Sequence, residues 1–190
     1  MFLENPVYNN EQFGWIEVIC GSMFSGKTEE LIRRIKRAKI ANQNIKVFKP
    51  IIDSRSKNFI ESHDESKLEC IEVKSSNEIL ENVNNCDVVA IDEAQFFDDQ
   101  IVTVCNKIAN NGIRVIIAGL DMDYLGNPFG PIPNLMANAE FVSKVHAICV
   151  ECGDLAIHSN RIVSSKDLVH LGEQEEYEAL CRACFIQKNS

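Results

Sequence analysis

Gly21-Ser22-Met23-Phe24-Ser25-Gly26-Lys27-Thr28 has the form G-x-x-x-x-G-K-[ST]. It follows the apolar run Trp15-Ile16-Glu17-Val18-Ile19-Cys20 and opens a helix-like stretch from Glu29 to Ala41. In that strand–loop–helix setting the backbone N–H groups of the loop wrap a polyphosphate, and the helix dipole favours the negative charge. Lys27 is placed to reach the β- and γ-phosphates and the Thr28 hydroxyl to hold Mg²⁺. A second segment, Cys86-Asp87-Val88-Val89-Ala90-Ile91, runs into Asp92-Glu93-Ala94-Gln95. A buried parallel strand tipped by adjacent acids is where a phosphate-loop enzyme places its metal-binding and hydroxyl-activating carboxylates. Asp92 therefore reads as a metal contact, direct or through water, and Glu93 as a general base. The pair of motifs points to Mg²⁺-dependent phosphoryl transfer or hydrolysis. The bland reading, a glycine turn and a solvated acidic strand end, leaves their order and their apolar lead-ins unexplained. Asp53 and Arg55, two apart near the next strand end, could add a metal contact and a transition-state cation. A surface turn explains that spacing equally well.

The eight cysteines fall into two groups. Cys20, Cys70, Cys86 and Cys105 stand singly in apolar or mixed segments and read as small buried hydrophobes. Cys149-x2-Cys152 and Cys181-x2-Cys184 form two knuckles separated by 28 residues. In a reducing compartment, paired knuckles read as one tetrahedral Zn²⁺ site rather than as disulfides. Two redox dithiols are the competing reading, but neither pair opens a helix in a thioredoxin-like context.

These groups need a scaffold. The chain has 190 residues and 45% hydrophobic residues, enough for one α/β domain with a small appendage. Its net charge of −9 argues against a protein that coats DNA or RNA. The start of the chain has no signal-peptide pattern, and the apolar runs are too short to span a membrane, so a cytoplasmic protein is expected. To about residue 145 strand-like and helix-like segments alternate. Leu31, Ile32, Ile35 and Ala38 recur at helical spacing, and the basic residues around them, Arg33, Arg34, Lys36, Arg37 and Lys39, read as a solvated face. Ile45–Phe48 reads as a strand stopped by Pro50, Leu68–Val73 as another, and Ile113–Ala118 as a third. Ser76 is expected to N-cap a helix over residues 77–83, and Asp98 or Asp99 to cap one that ends at Asn111-Gly112. The fold expected is a P-loop NTPase-like parallel sheet with helices on both faces, over residues 1–145. Residues 146–190, with strands near Leu155–Ile157 and Arg161–Val163, form a zinc-binding lobe too small to fold by core burial alone.

The ordered set of motifs resembles the type II thymidine kinases. The resemblance runs from Gly21 to Phe185. It includes the phosphate loop with its internal Met-Phe-Ser, Lys49-Pro50 with Asp53 and Arg55, and Ser62-His63-Asp64. It continues through Asp92-Glu93-Ala94-Gln95-Phe96-Phe97, Gly119-Leu120-Asp121, Tyr124, Pro128-Phe129-Gly130, both knuckles and Tyr177. The resemblance implies ATP as donor and the 5′-hydroxyl of thymidine or deoxyuridine as acceptor, with Glu93 as catalytic base. ATP binding then falls to Gly21 through Thr28 and to Asp92, Glu93, Ala94 and Gln95. Mg²⁺ and phosphate contacts fall to Thr28, Asp53, Arg55 and Asp92. The nucleoside would meet Met23, Phe96, Leu120, Tyr124, Phe129 and Tyr177, with Phe96 and Tyr124 walling the base. A lid at Leu168, Val169 and His170 would hold the base edge by backbone groups. The resemblance also implies a homotetramer and feedback inhibition by dTTP. Three positions depart from the family pattern: Glu173 where a glycine is common, Tyr124 where phenylalanine is frequent, and Ser159 where threonine is usual.

Two other functions fit parts of the sequence. A nucleic-acid motor would share the acid-Ala-Gln strand tip, but it needs a second motor domain or an arginine finger supplied by an oligomer, and a basic track. A zinc-ribbon adaptor would explain the knuckles but has no use for Lys27, Thr28, Asp92 and Glu93.

Overall fold

The computed structural model describes residues 7–8, 11–53, 58–61, 67–163 and 176–190. A short antiparallel pair, β1 (Val7–Tyr8) and β2 (Glu11–Gln12), precedes β3 (Ile16–Cys20) and α1 (Lys27–Ile40). Next come β4 (Ile45–Pro50), the antiparallel pair β5 (Phe59–Glu61) and β6 (Lys67–Glu69), then β7 (Ile71–Val73) and α2 (Ser76–Asn82). The acid-tipped strand is β8 (Val88–Ile91), followed by a 3-10 turn (Ala94–Phe96), α3 (Gln100–Asn110), β9 (Arg114–Gly119), α4 (Ile132–Asn138) and β10 (Phe141–Lys144). The C-terminal part holds β11 (Ala147–Ile148) paired with β12 (Leu155–Ala156), β13 (His158–Arg161) paired with β14 (Tyr177–Leu180), and α5 (Arg182–Lys188).

The main sheet has the order β10-β3-β9-β8-β4-β7, and every pairing in it is parallel. A parallel sheet must be covered on both faces, and alternate residues supply the two faces. Ile19, Val88, Ala90, Ile116 and Ala118 meet Leu31, Ile32, Ile35 and Ala38 of α1. Val18, Val89, Ile91, Val115 and Ile117 meet Ile101, Val104 and Ile108 of α3 and Ile132 and Leu135 of α4. Each of the large aliphatic side chains buried here contributes about 1.5–3 kcal/mol. The phosphate loop therefore leaves the sheet at the C-terminal end of β3, and Asp92 leaves it at the same end of β8, with β9 between them.

Several segment expectations need correction. Leu68–Val73 is two strands in different sheets, broken at Cys70, whose N–H donates to Asn58 O at 2.9 Å. The strand from Ile45 reaches two residues past Phe48 and ends on Pro50 itself. Ser76 lies inside α2, and its hydroxyl donates to Asp98 Oδ1 at 2.7 Å. Asp98 also accepts from Gln100 N at 3.0 Å, so one carboxylate ties the starts of α2 and α3 together. α4 and β10 had no distinct sequence signal. β10 is the edge strand beside β3, and its Val145 neighbour donates its N–H to Cys20 O.

Arg34 is not on a solvated face. It is buried and donates to Glu17 Oε2 at 2.7 Å, to Glu30 at 2.8 Å and to Ser143 Oγ at 2.9 Å. Glu17, fully buried in mid-β3, also accepts from Arg114 Nε at 2.6 Å and Trp15 Nε1 at 2.7 Å. Burial opposes the Glu17 carboxylate, but Arg114, Trp15 and Arg34 outweigh it and hold its pKa below 4.5. Arg33, helped by Arg34, brings Glu30 down to about 2. Both folded-state values are depressed, so their stabilisation is present above about pH 4.5 and is lost as pH falls toward 2. Glu17→Gln is expected to cost up to about 3–5 kcal/mol at neutral pH, because it removes the buried carboxylate that pairs with buried Arg34 and half-buried Arg114. It should also flatten the acid limb of stability. Urea unfolding at a series of pH values checks both; an acid limb as steep as wild type would contradict the assignment.

Candidate active site

Glycines at the start and end of the phosphate loop fix its path. Gly21 has φ +149°, and a Cβ there would lie 2.2 Å from Val145 O, so only glycine fits against β10. Gly26, at φ +82°, turns the chain into α1. Ser25 Oγ and Lys27 Nζ both donate to Ser22 O at 2.7 Å, which folds the loop around its own carbonyl. Phe24, at φ +62°, packs its ring into the C-terminal hydrophobic cluster.

The two sequence motifs meet directly. Thr28 Oγ1 donates to Asp92 Oδ2 at 3.3 Å across the end of β9. Asp92 Oδ1 accepts from Glu93 N at 3.0 Å. Glu93 sits at φ +50°, a left-handed conformation that costs a non-glycine residue about 1–2 kcal/mol. Such strain persists where surrounding contacts over-determine the residue. The contact here is Gln95, whose amide nitrogen donates to Glu93 Oε2 and whose Oε1 accepts from Leu120 N at 3.0 Å. Gln95 is buried, with Ala94 beside it, while Glu93 is half-buried. The glutamine thus orients the acid against the start of the loop after β9. Gly119 and Gly130 make room for this: a Cβ on Gly119 would lie 2.9 Å from Gln95 Oε1, and one on Gly130 would lie 2.3 Å from Gln95 O.

Asp53 is buried and held from beneath. The fully buried Lys49 donates from Nζ to Asp53 O at 3.1 Å and lies 3.8 Å from Asp53 Oδ2 and 3.6 Å from Glu72 Oε1. A solvated surface turn does not describe this residue. Lys49 appeared in the sequence only as part of a motif, since a lysine before Pro50 gives no sign of burial. Arg55, Ser62, His63 and Asp64 lie outside the described residues, as do the lid positions Leu168, Val169, His170, Gly172 and Glu173.

The remaining nucleoside-side residues form two groups. Phe96 meets Phe129 edge-on, with centroids 5.9 Å apart, and half-buried Leu120 is tied to Gln95. The loop between them closes on Asp123, whose Oδ1 accepts from Leu125 N and Asn127 N at 2.9 Å. The second group gathers on β13. Met23 N donates to Ser159 Oγ at 2.9 Å, and the Arg161 guanidinium lies 3.8 Å from the centre of the Tyr124 ring. Arg161 also donates to Tyr177 OH from Nε at 3.1 Å and Nη2 at 2.9 Å. Tyr124 therefore has a cation on one ring face, and its ring partner is Arg161 while that of Phe96 is Phe129. Sequence reasoning placed Arg161 at the start of a strand running to Val163 and gave it no role; the strand is His158–Arg161, with Arg161 at its end.

Cys149, Cys152, Cys181 and Cys184 bring their sulfurs within 4.8 Å of one another, and Cys152 and Cys181 are 3.7 Å apart. A tetrahedral Zn²⁺ with Zn–S bonds of about 2.3 Å requires sulfurs about 3.8 Å apart, so the donor set fits that ion. Burial opposes a Cys149 thiolate, but the backbone N–H groups of Cys181, Cys152 and Glu151 bring it down to about 6. The Cys181 and Cys152 sulfurs push the Cys184 thiol up to about 12. Four sulfurs this close resist joint ionisation, and a divalent cation relieves that repulsion. Of the single cysteines, Cys20, Cys86 and Cys105 are buried and Cys70 is half-buried. No helix among the described residues is long and apolar enough to cross a membrane.

The sequence profile described as thymidine kinase matches residues 14–185. The chain is 58% identical over 188 residues to a thymidine kinase of Bacteroides thetaiotaomicron, covering 98% of this chain and 94% of that protein. A thymidine kinase of Bacteroides fragilis is 56% identical over 186 residues, covering 97% and 94%.

Proposed function

The chain belongs to the thymidine kinase family, and we propose that it transfers the γ-phosphate of ATP to the 5′-hydroxyl of thymidine or deoxyuridine. The observation that supports this most is the Thr28–Asp92 contact, with Glu93 anchored beside it by Gln95. The loop from Gly21 to Thr28 wraps the triphosphate, and Lys27 turns from Ser22 O toward the β- and γ-phosphates. Thr28 and Asp92 would hold Mg²⁺, with Asp53 and Arg55 in supporting roles. Bound there, Mg²⁺ would neutralise charge that builds on the transferring group. Glu93 accepts the proton of the 5′-hydroxyl as that oxygen attacks the γ-phosphorus, the bond to the β–γ bridging oxygen breaks with ADP leaving, and Gln95 keeps the carboxylate aimed.

Met23, Phe96, Leu120, Tyr124, Phe129 and Tyr177 wall the nucleoside. The lid at Leu168, Val169 and His170 reads the base edge through backbone groups and excludes water from the transfer step. The four cysteines hold a structural Zn²⁺. Residues 1–145 act as the ATP-binding domain and 146–190 as the lobe that closes over the nucleoside. The enzyme serves nucleotide salvage in the cytoplasm as a homotetramer, with dTTP as feedback inhibitor.

Backbone readout makes a sharp prediction about acceptors. Cytosine presents the opposite donor–acceptor order to thymine and leaves a buried polar group unpaired, at about 1–3 kcal/mol. Thymidine should therefore exceed deoxycytidine at least about tenfold in kcat/KM. Deoxyuridine, which lacks only a methyl, should lose about 1 kcal/mol. Steady-state kinetics over the three nucleosides checks this. Equal kcat/KM for thymidine and deoxycytidine would remove the backbone readout.

A further inference from the structure

β13 carries Arg161 between two aromatic residues from different elements. Tyr124 belongs to the loop after β9, and Tyr177 opens β14. The central carbon of the guanidinium sits 3.8 Å from the centre of the Tyr124 ring, while two of its N–H groups converge on the Tyr177 oxygen. Arg161 is opposite Tyr177 in the β13–β14 register, so the strand pairing brings the guanidinium and the phenol together. Tyr177 is buried, and Arg161 and Tyr124 are half-buried. A planar cation that stacks on one ring and forks onto another fixes both positions and orientations, which a flexible ammonium cannot do.

We propose that Arg161 is the positioning residue that sets the separation of Tyr124 and Tyr177, and with it the affinity for the acceptor nucleoside. The proposal rests on the nucleoside reading of those two tyrosines. Arg161 acts through them; it takes no part in phosphoryl transfer. The same strand holds Ser159 on Met23 N, and His158 packs against Gly126 of the loop that carries Tyr124. One short strand thus registers the nucleoside loop against the phosphate loop.

The test is steady-state kinetics of the full chain with thymidine and ATP varied separately, for wild type, Arg161→Met and Arg161→Lys. Loss of the stack and the fork is expected to raise the thymidine KM about tenfold in Arg161→Met, with the ATP KM within twofold of wild type. Arg161→Lys, which keeps the cation on the ring but loses the fork, should recover part of that loss. Adding Tyr177→Phe to Arg161→Met should raise the thymidine KM by less than the same change does in wild type, since both act through one oxygen. A thymidine KM within twofold of wild type in Arg161→Met, or ATP and thymidine KM values rising together, would overturn the proposal. If Arg161→Met does not fold, Arg161→Lys decides: at least a threefold rise in thymidine KM with an unchanged ATP KM supports it, and anything less overturns it. Absence of thymidine phosphorylation by wild type would instead reject the parent reading of the acceptor.

Discussion

Glu93→Gln should lower turnover by about 10²–10⁴-fold while ATP and thymidine bind nearly as in wild type. The substitution is nearly isosteric and removes only the ability to take up a proton. Glu93 follows β8, is tied by its own N–H to Asp92, and meets the Gln95 amide through its carboxylate. The Asp92 carboxylate that receives Thr28 is left in place, so the phosphate loop should keep its grip. The left-handed backbone at Glu93 is also retained, since glutamine faces the same steric cost there. Rapid-quench turnover together with calorimetric binding of each substrate separates the two effects. Turnover within twofold of wild type would exclude Glu93 as the base, and a matching loss of thymidine affinity would make it a binding group instead.

Loss of the zinc site should have the second large effect, and it should reach the phosphate loop. Among the described residues the hydrophobic cluster behind the cysteines is small: Ala147, Cys149, Ala156, Ala179, Leu180 and Cys181, with Phe24, Cys184 and Phe185 against it. So little apolar surface does not hold a segment folded, whereas structural zinc contributes about 10–16 kcal/mol at neutral pH. Phe24 comes from the phosphate loop, Met23 N is held by Ser159, and Ser22 Oγ reaches Ala156 O at 3.5 Å. Cys181 supplies a sulfur and also N-caps α5 by accepting from Cys184 N. Cys181→Ser should therefore reduce zinc below half an equivalent per chain and weaken ATP binding by at least about tenfold, as the loop loses these partners. Metal analysis of the folded protein and ATP titration give the two readings. A wild-type protein with less than half an equivalent of zinc, or a disulfide map linking these cysteines, would contradict the site. Intact ATP affinity after complete zinc removal would contradict its coupling to the loop.

Local patterns made much of this legible in the sequence. The phosphate loop, the acid-tipped strand and the knuckles each depend on short spacings, and each lies where those spacings put it. Leu31, Ile32, Ile35 and Ala38 announced the buried side of α1 by their period. Long-range partners were not legible. Arg34 sits among basic neighbours, and only the burial of Glu17, seventeen residues earlier on a central strand, makes it an interior residue. Leu68–Val73 alternates as one strand, yet its halves join different sheets because Cys70 bonds back to Asn58. Ser76 looked like a cap because it precedes a helical run, but Asp98 recruits it from the start of another helix. Lys49 and Arg161 lie at the ends of strands that the sequence does signal, but their partners are residues that only the folded chain brings near.

The most direct measurement is transfer of label from γ-labelled ATP in the presence of Mg²⁺ and thymidine, with the product resolved by chromatography. Labelled thymidine 5′-monophosphate should form in step with ADP, and it should vanish when thymidine is withheld or Glu93 is replaced by glutamine. ATP hydrolysis stimulated by a polynucleotide, with no label on thymidine, would contradict nucleoside phosphorylation.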